Sequence, residues 1–68
     1  MINTEILNKI INESGLKRSY IAKEIGLSPY GLAKKINGIT EFKASEISEL
    51  CKILHIVGLK NRDKIFFK

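Results

Sequence analysis

The segment of residues 26–38, GLSPYGLAKKING, constrains the fold of this chain more than any other. The Ser28 side chain can cap free amides at the beginning of a helix, and Pro29 suits the first helical position, where its missing N–H would have no partner anyway. Asn37 and Gly38 are typical of a helix end. The segment therefore predicts a tight turn followed by a short helix.

The small size of the chain sets the kind of domain it can form. Its 68 residues make one domain, residues 1–68, and a chain of this length buries only about 60% of its unfolded surface. Its hydrophobic fraction is 44%, mostly Ile and Leu with no Trp, a composition that favours helices over strands. We expect an all-α fold, a compact bundle of about five short helices, whose stability self-association could raise.

Glycines and the one proline divide the chain into these helical segments. They are Gly15, Gly26, Pro29, Gly38 and Gly58. The first segment begins at Asn3 or Thr4, either of which can cap a helix, and ends at a left-handed Gly15. The second covers residues 17–25. Both present apolar stripes at helical spacing, formed by Ile6, Leu7, Ile10, Ile11, Ile21, Ala22 and Ile25.

A fourth helix is predicted near residues 44–54. Its apolar stripe consists of Ile47, Leu50, Cys51 and Leu54. Phe42, just before a cap at Lys43, can pack on Ile47 as a hydrophobic staple.

The last helical segment is predicted over residues 61–67, with Asn61 as a possible cap. Three apolar residues at its end, Ile65, Phe66 and Phe67, are candidates for a dimer interface. We expect Phe66 to face inward and Phe67 to face a partner or the surface.

The chain has one cysteine and one histidine, which leaves little for catalysis. Cys51 lies in the apolar stripe of the fourth helix and is predicted to be a buried thiol, and His55 at the helix end is predicted to be structural or exposed. An internal disulfide and a zinc site are excluded by these counts. Because no phosphate-binding loop or nucleophile–base pair is present, we expect no enzyme activity, no cofactor and no metal.

The cysteine count and the hydropathy pattern also bear on location. A single cysteine fits a reducing compartment, and no apolar run approaches the roughly 20 residues that a membrane span requires. We expect a protein of the cytoplasm, with no membrane partner.

Positive charge is concentrated in the middle of the chain. The whole chain has 12 basic and 7 acidic residues, a net charge of +5, and residues 17–43 contribute six basic and two acidic residues, or +4 of that total. The basic residues are Lys17, Arg18, Lys23, Lys34, Lys35 and Lys43. Such a concentration attracts nucleic acid through counterion release. The alternative is an ordinary solvated, lysine-rich surface.

The helix predicted after Ser28 has two distinct faces. At helical pitch Leu32 and Ile36 point inward, whereas Tyr30 and Lys34 point almost directly opposite. Gly31, Ala33 and Asn37 lie beside the outward pair, and Lys35 lies at the flank. Small residues on an exposed face let a helix approach a groove closely.

The stretch of residues 16–38 resembles the helix-turn-helix motif of the phage repressor and Cro-type family, the lambda repressor-like DNA-binding domains. The resemblance rests on Ala22, which permits close helix crossing, Gly26, which makes the turn, and Leu32, which locks the second helix onto the first. Residues 37–47 are similar to a branch of small phage and prophage regulators, so the resemblance covers almost the whole chain.

This resemblance implies roles for individual residues. Residues 17–25 would be the positioning helix, and residues 28–37 the recognition helix in the major groove. Base edges would be read by Pro29, Tyr30 and Lys34, with Gly31 and Ala33 lining the approach. Phosphate would be bound by Lys17, Arg18, Ser28, Lys35, Asn37, Thr40 and Lys43.

The chain departs from the family pattern at two helix starts. Lys17 and Arg18 stand where the family often has Thr and Gln, so charge replaces the usual cap and its phosphate contact. Lys43 stands where a capping Thr is common, which leaves Glu46 without its capping-box partner. We therefore expect the fourth helix to fray or to begin a residue later.

The resemblance implies a sequence-specific transcriptional regulator in a bacterial host cell. A homodimer, at least on DNA, would place two recognition helices about 34 Å apart on a roughly palindromic double-stranded operator. The alternative is an adaptor of the anti-repressor or antitoxin-like kind, which keeps the fold but binds a protein.

Overall fold

Five helices make up most of residues 2–67, the part of the chain that the computed structural model describes. They are α1 (Thr4–Ser14), α2 (Arg18–Glu24), α3 (Pro29–Ile36), α4 (Ala44–Leu54) and α5 (Leu59–Phe66). No strand occurs within these residues. The expected all-α bundle of about five short helices is thereby confirmed.

The first three helices begin and end where local sequence signals predict. The Asn3 side chain accepts a hydrogen bond of 3.1 Å from the Ile6 N–H at the beginning of α1, and Gly15 ends that helix with a φ of 75°. Gly26, with a φ of 79°, makes the turn between α2 and α3. A residue with a side chain would be strained at this φ, so glycine is required there.

The core lies between α1 and the other helices. It is formed by Leu7, Ile11, Ile21, Ala22, Ile25, Leu32, Ile36, Ile47, Leu50, Cys51, Leu54, Ile65 and Phe66. The predicted apolar stripes supply most of these side chains. Helix α2 packs against α3 and α4, and α1 packs against α3, α4 and α5. None of the helices described is long and apolar enough to cross a membrane.

The beginning of α4 differs from expectation. The helix starts at Ala44 without the predicted delay, because the Glu46 carboxylate accepts a hydrogen bond of 2.8 Å from the Lys43 N–H. A lysine side chain has no acceptor atom, so this is half of a capping box. Phe42, in the preceding loop, is partly buried against the core, and its ring packs edge-to-face on Phe66 at 5.6 Å. Its packing on Ile47 as a hydrophobic staple stays a prediction.

Helix α5 begins two residues earlier than predicted. Its N-cap is Gly58, with a φ of 89° and no side-chain cap. The predicted cap, Asn61, lies inside the helix and donates from Nδ2 to the Val57 carbonyl oxygen at 2.8 Å. Asn61 thus bonds back to the preceding loop instead of capping the first turn.

Candidate nucleic-acid interface

Helix α3 is joined to the bundle by one face and by its C-terminal end, and its N-terminal end is capped by the residue that precedes it. Leu32 and Ile36 are buried in the core. At the N-terminus the Ser28 Oγ accepts a hydrogen bond of 3.0 Å from the Gly31 N–H, and at the C-terminus the Thr4 hydroxyl donates to the Ile36 carbonyl oxygen at 2.6 Å. The helix therefore has a defined orientation, which a surface that reads a groove needs.

The Ser28 cap also explains the glycine in the first turn of α3. A Cβ atom on Gly31 would lie 3.2 Å from Ser28 Oγ, a close contact that would crowd the capping hydroxyl. Because the Ser28 oxygen accepts from the backbone, its own hydrogen stays available for a further acceptor. Gly31 thus has a structural role in addition to the groove-lining role that the sequence suggests.

Tyr30 and Lys34 lie together on the outward face of α3. Tyr30 is 75% exposed, and the Lys34 ammonium nitrogen lies 5.5 Å from the centroid of its ring. A cation at this distance from an aromatic ring is attracted to its face. Pro29 and Ala33 are also exposed, so the outward residues form one surface around the Tyr30–Lys34 pair.

Lys35 is engaged within the protein. Its Nζ lies 2.5 Å from Glu46 Oε1, and the two side chains are 13% and 9% exposed. Glu46 is the buried charged residue among residues 2–67. Burial by itself raises the pKa of this carboxyl, but the hydrogen bonds from Lys35 and the Lys43 N–H and the charges of both lysines outweigh it, so the pKa is lowered. This corrects the expectation that Lys35 is free to bind phosphate.

The other predicted phosphate contacts are exposed and lie at the ends of helices or in loops. Lys17 precedes α2 without a side-chain cap, and Arg18 donates from Nη2 to Asn12 Oδ1 at 3.0 Å on the surface. Asn37 ends α3, and Thr40 and Lys43 follow in the loop before α4; all three are exposed.

The charged residues of α3 are lysines only. Its sequence, PYGLAKKI, contains two lysines and no carboxylate, and the first turn of α2 contains no acidic residue. The one acidic residue in the first turn of α4, Glu46, is neutralised by Lys35. Since Lys35 is paired with Glu46, the positive charge that α3 presents outward is that of Lys34, and a face with this charge is electrostatically complementary to a phosphate-lined groove.

The candidate dimer residues have different environments. Ile65 and Phe66 are buried, whereas Phe67 is 59% exposed. The Ile65 carbonyl accepts a 2.6 Å hydrogen bond from the Asn3 N–H, and the Phe66 ring packs edge-to-face on Phe42 at 5.6 Å. Ile65 and Phe66 thus belong to the core of one chain, which corrects their assignment to a dimer interface. The predicted split between Phe66 and Phe67 agrees with the structure.

Two features were missed at the level of sequence. One is the Lys35–Glu46 ion pair, whose members are 11 residues apart on different helices. The other is the exposure of Val57 and Leu59, which flank Gly58 before α5. In the sequence, Val57 and Leu59 lie on either side of Gly58, outside the predicted helices, and this pattern could have indicated an exposed loop.

The remaining titratable residues form no further site in the described part of the chain. Residues 2–67 contain no group of three or more His, Cys, Asp and Glu side chains that could hold a metal ion. Cys51 is buried in the core, and burial raises the pKa of its thiol, with Arg62 opposing the shift. His55 is exposed and ends α4 in a left-handed conformation.

Comparisons of the chain with protein-family models, with curated proteins and with solved structures find no significant match.

Proposed function

We propose that this protein is a sequence-specific DNA-binding transcriptional regulator, a Cro-like repressor of the phage or prophage kind. One observation carries the proposal. Helix α3 is anchored by buried Leu32 and Ile36, while its opposite face exposes Tyr30 beside Lys34 and carries no acidic residue. This is the division between docking and reading faces that a recognition helix requires.

In this proposal α3 enters the major groove and reads bases with its outward face. Lys34 can donate to guanine O6 and N7, and Tyr30 can offer its hydroxyl to a base or phosphate and its ring to a thymine methyl group. Pro29, Gly31 and Ala33 have small side chains or none, so they allow α3 to approach the base pairs closely. The cation–π contact supports the assignment because it restricts both long side chains before DNA arrives.

Phosphate contacts fix the register of α3 in the groove. We assign them to exposed groups around the helix, namely Lys17, Arg18, Ser28, Asn37, Thr40 and Lys43. Lys35 is left out because Glu46 holds its ammonium group. Such contacts are independent of base sequence, so they contribute affinity and salt dependence.

We propose that the protein binds its operator as a homodimer, in the cytoplasm of a bacterial host, where the DNA is accessible. The longest dimension of the chain is 27 Å, less than the spacing of about 34 Å between successive major grooves on one face of DNA. Two copies can therefore occupy successive major grooves on one face of DNA, and their two-fold relation is part of the proposal. The operator is then roughly palindromic. The protein acts by occupancy, without enzyme chemistry or a cofactor.

A protein-binding adaptor is the second candidate, and the exposed apolar side chains favour it. Val57, Leu59 and Ile39 are each about 70% exposed, on loops and at the start of α5. Val57 and Leu59 flank Gly58, and exposed apolar residues at neighbouring positions can contribute to a surface that binds a protein. The basic face of α3 has no role in this alternative, which is why DNA binding is preferred.

Salt dependence separates the two candidates. Binding to a labelled mixed-sequence DNA duplex would be measured by fluorescence anisotropy between about 50 and 200 mM salt. The charged phosphate contacts assigned above are Lys17, Arg18 and Lys43, so a homodimer neutralises about six phosphates and loses roughly a thousandfold in affinity over this range. We expect a steep linear fall of log affinity with log salt. Absence of binding at the lowest salt would contradict DNA binding and favour the adaptor.

A further inference from the structure

The Lys35–Glu46 ion pair links the two ends of the loop that connects α3 to α4. Glu46 Oε1 lies 2.5 Å from Lys35 Nζ, at the last turn of α3, and accepts a second hydrogen bond from the Lys43 N–H, at the start of α4. One carboxylate oxygen therefore joins both ends of the loop of residues 37–43. This loop carries Asn37, Thr40 and Lys43, three of the assigned phosphate contacts.

The pair also determines which lysines can reach DNA. Lys34 and Lys35 are adjacent, but Lys34 lies on the outward face of α3, and the Lys35 side chain is only 13% exposed and aimed at a carboxylate. A phosphate would have to compete with a partner already in contact and mostly removed from water. The ion pair thus withholds one positive charge from a surface that otherwise favours polyanions.

We propose that Glu46 is a specificity-determining residue that limits non-specific DNA binding by withholding Lys35 from phosphate. The inference rests on the proposed function. At the operator, base contacts by Tyr30 and Lys34 hold α3 in one docked position. On arbitrary DNA no such constraint exists, and the protein can shift until a freed lysine meets a phosphate. Loss of the Glu46 charge therefore strengthens binding to arbitrary DNA more than binding to the operator.

The test compares four proteins: wild type, Glu46→Gln, Lys35→Met/Glu46→Gln and Glu49→Gln. Glu49 is a matched control because it also lies on α4 and pairs with a lysine, Lys52, but in an exposed pair at 3.6 Å. The Glu46→Gln and Glu49→Gln substitutions change the net charge equally. Affinity for a mixed-sequence duplex and for a duplex enriched by selection is measured as a function of salt, and circular dichroism checks that each protein is folded.

We expect the Glu46→Gln homodimer to bind the mixed-sequence duplex with a log–log salt slope steeper by about 1.8, the value of one added phosphate contact in each copy. Its preference for the enriched duplex over the mixed one falls below that of wild type, because the added contacts form on mixed-sequence DNA. The double variant, which has no lysine to release, and the Glu49→Gln control keep the wild-type slope.

Two results would overturn the inference. The first is a Glu46→Gln slope equal to that of Glu49→Gln. The second is a double variant whose salt slope is shallower than that of wild type by about 1.8, the value of one lost phosphate contact in each copy. That result would show that Lys35 already binds phosphate. The double variant replaces both charged side chains by neutral ones. It therefore still tests whether Lys35 binds phosphate if Glu46→Gln alone does not fold. Wild-type protein that binds no DNA would instead refute the proposed function, and this inference with it.

Discussion

The Thr4 hydroxyl donates a hydrogen bond of 2.6 Å to the Ile36 carbonyl oxygen, and so joins the first turn of α1 to the last turn of α3 across 32 residues of sequence. The last carbonyl groups of a helix have no partner within the helix. Thr4 supplies that partner from the neighbouring helix, so the beginning of the chain helps to hold the C-terminal end of α3 in place.

A Thr4→Val variant tests this link. Valine has nearly the same shape as threonine but cannot donate, so the Ile36 carbonyl loses its partner, and we expect the free energy of unfolding to fall by about 1 kcal/mol. Urea unfolding followed by circular dichroism measures the change. Thr40→Val is the control because Thr40 is exposed; equal effects of the two substitutions would show that the Thr4 hydrogen bond contributes nothing.

The two C-terminal phenylalanines provide a second test of the packing. Phe66→Ala removes a buried ring that packs on Phe42, and such a substitution costs about 3–5 kcal/mol, enough to unfold much of a small domain. Phe67→Ala removes an exposed ring and is expected to change stability by about 0.5 kcal/mol or less. Thermal unfolding of both variants measures the two changes in stability. A larger loss of stability in Phe67→Ala than in Phe66→Ala would contradict this assignment.

The helix at the centre of the proposed function, α3, was predictable because its signals are local. Ser28, Pro29 and Gly38 lie next to the ends they determine, and the spacing of Leu32 and Ile36 identifies the buried face without reference to the rest of the chain. The same reasoning missed the start of α5 at Leu59, because Gly58 begins that helix without a side-chain cap.

The partner of Lys35 could not be read from the sequence for a different reason. Lys35 and Glu46 meet only because α3 and α4 are brought together by a loop, and no helical periodicity links residues 11 apart on separate helices. Their contact depends on packing between helices. For the same reason, the burial of Ile65, whose carbonyl accepts from the Asn3 N–H, became evident only in the folded bundle, whereas the inward position of Phe66 was predicted.

The lowered pKa of Glu46 predicts a contribution to stability that depends on pH. Because the folded protein holds this carboxyl in its charged form more strongly than the unfolded chain does, the stabilisation is present above the unfolded pKa and is lost as pH falls through the lower, folded pKa. We expect Glu46→Gln to be less stable than wild type at neutral pH, with the difference shrinking in acid.

Urea unfolding of wild type and Glu46→Gln over a series of pH values, from neutral down to about pH 3, measures this difference. Subtraction of the two curves removes the contribution of the other carboxyl groups. A difference that stays constant across the series would contradict the assigned direction of the pKa shift.

Lys43 is expected to act on DNA without reading its sequence. Its side chain is exposed at the start of α4, and alanine keeps the N–H that bonds to Glu46. We predict that Lys43→Ala reduces the salt slope of the homodimer by about 1.8, one contact in each copy, and weakens binding to all duplexes by a similar factor. Lys52→Ala is the control, since Lys52 is exposed on α4 outside the assigned contacts; a change of base preference in Lys43→Ala would count against a phosphate role.

In the proposed function, the Tyr30–Lys34 face of α3 reads base sequence. The most direct measurement selects bound sites from a random DNA pool with the wild-type protein, and then footprints the best site with wild type, Tyr30→Ala and Lys34→Ala. We predict an enriched, roughly palindromic motif, a loss of discrimination of about 1–3 kcal/mol at the base pairs that Lys34 contacts, and weakened protection with Tyr30→Ala. An absence of any enriched motif, or variants that protect the site as wild type does, would contradict the account.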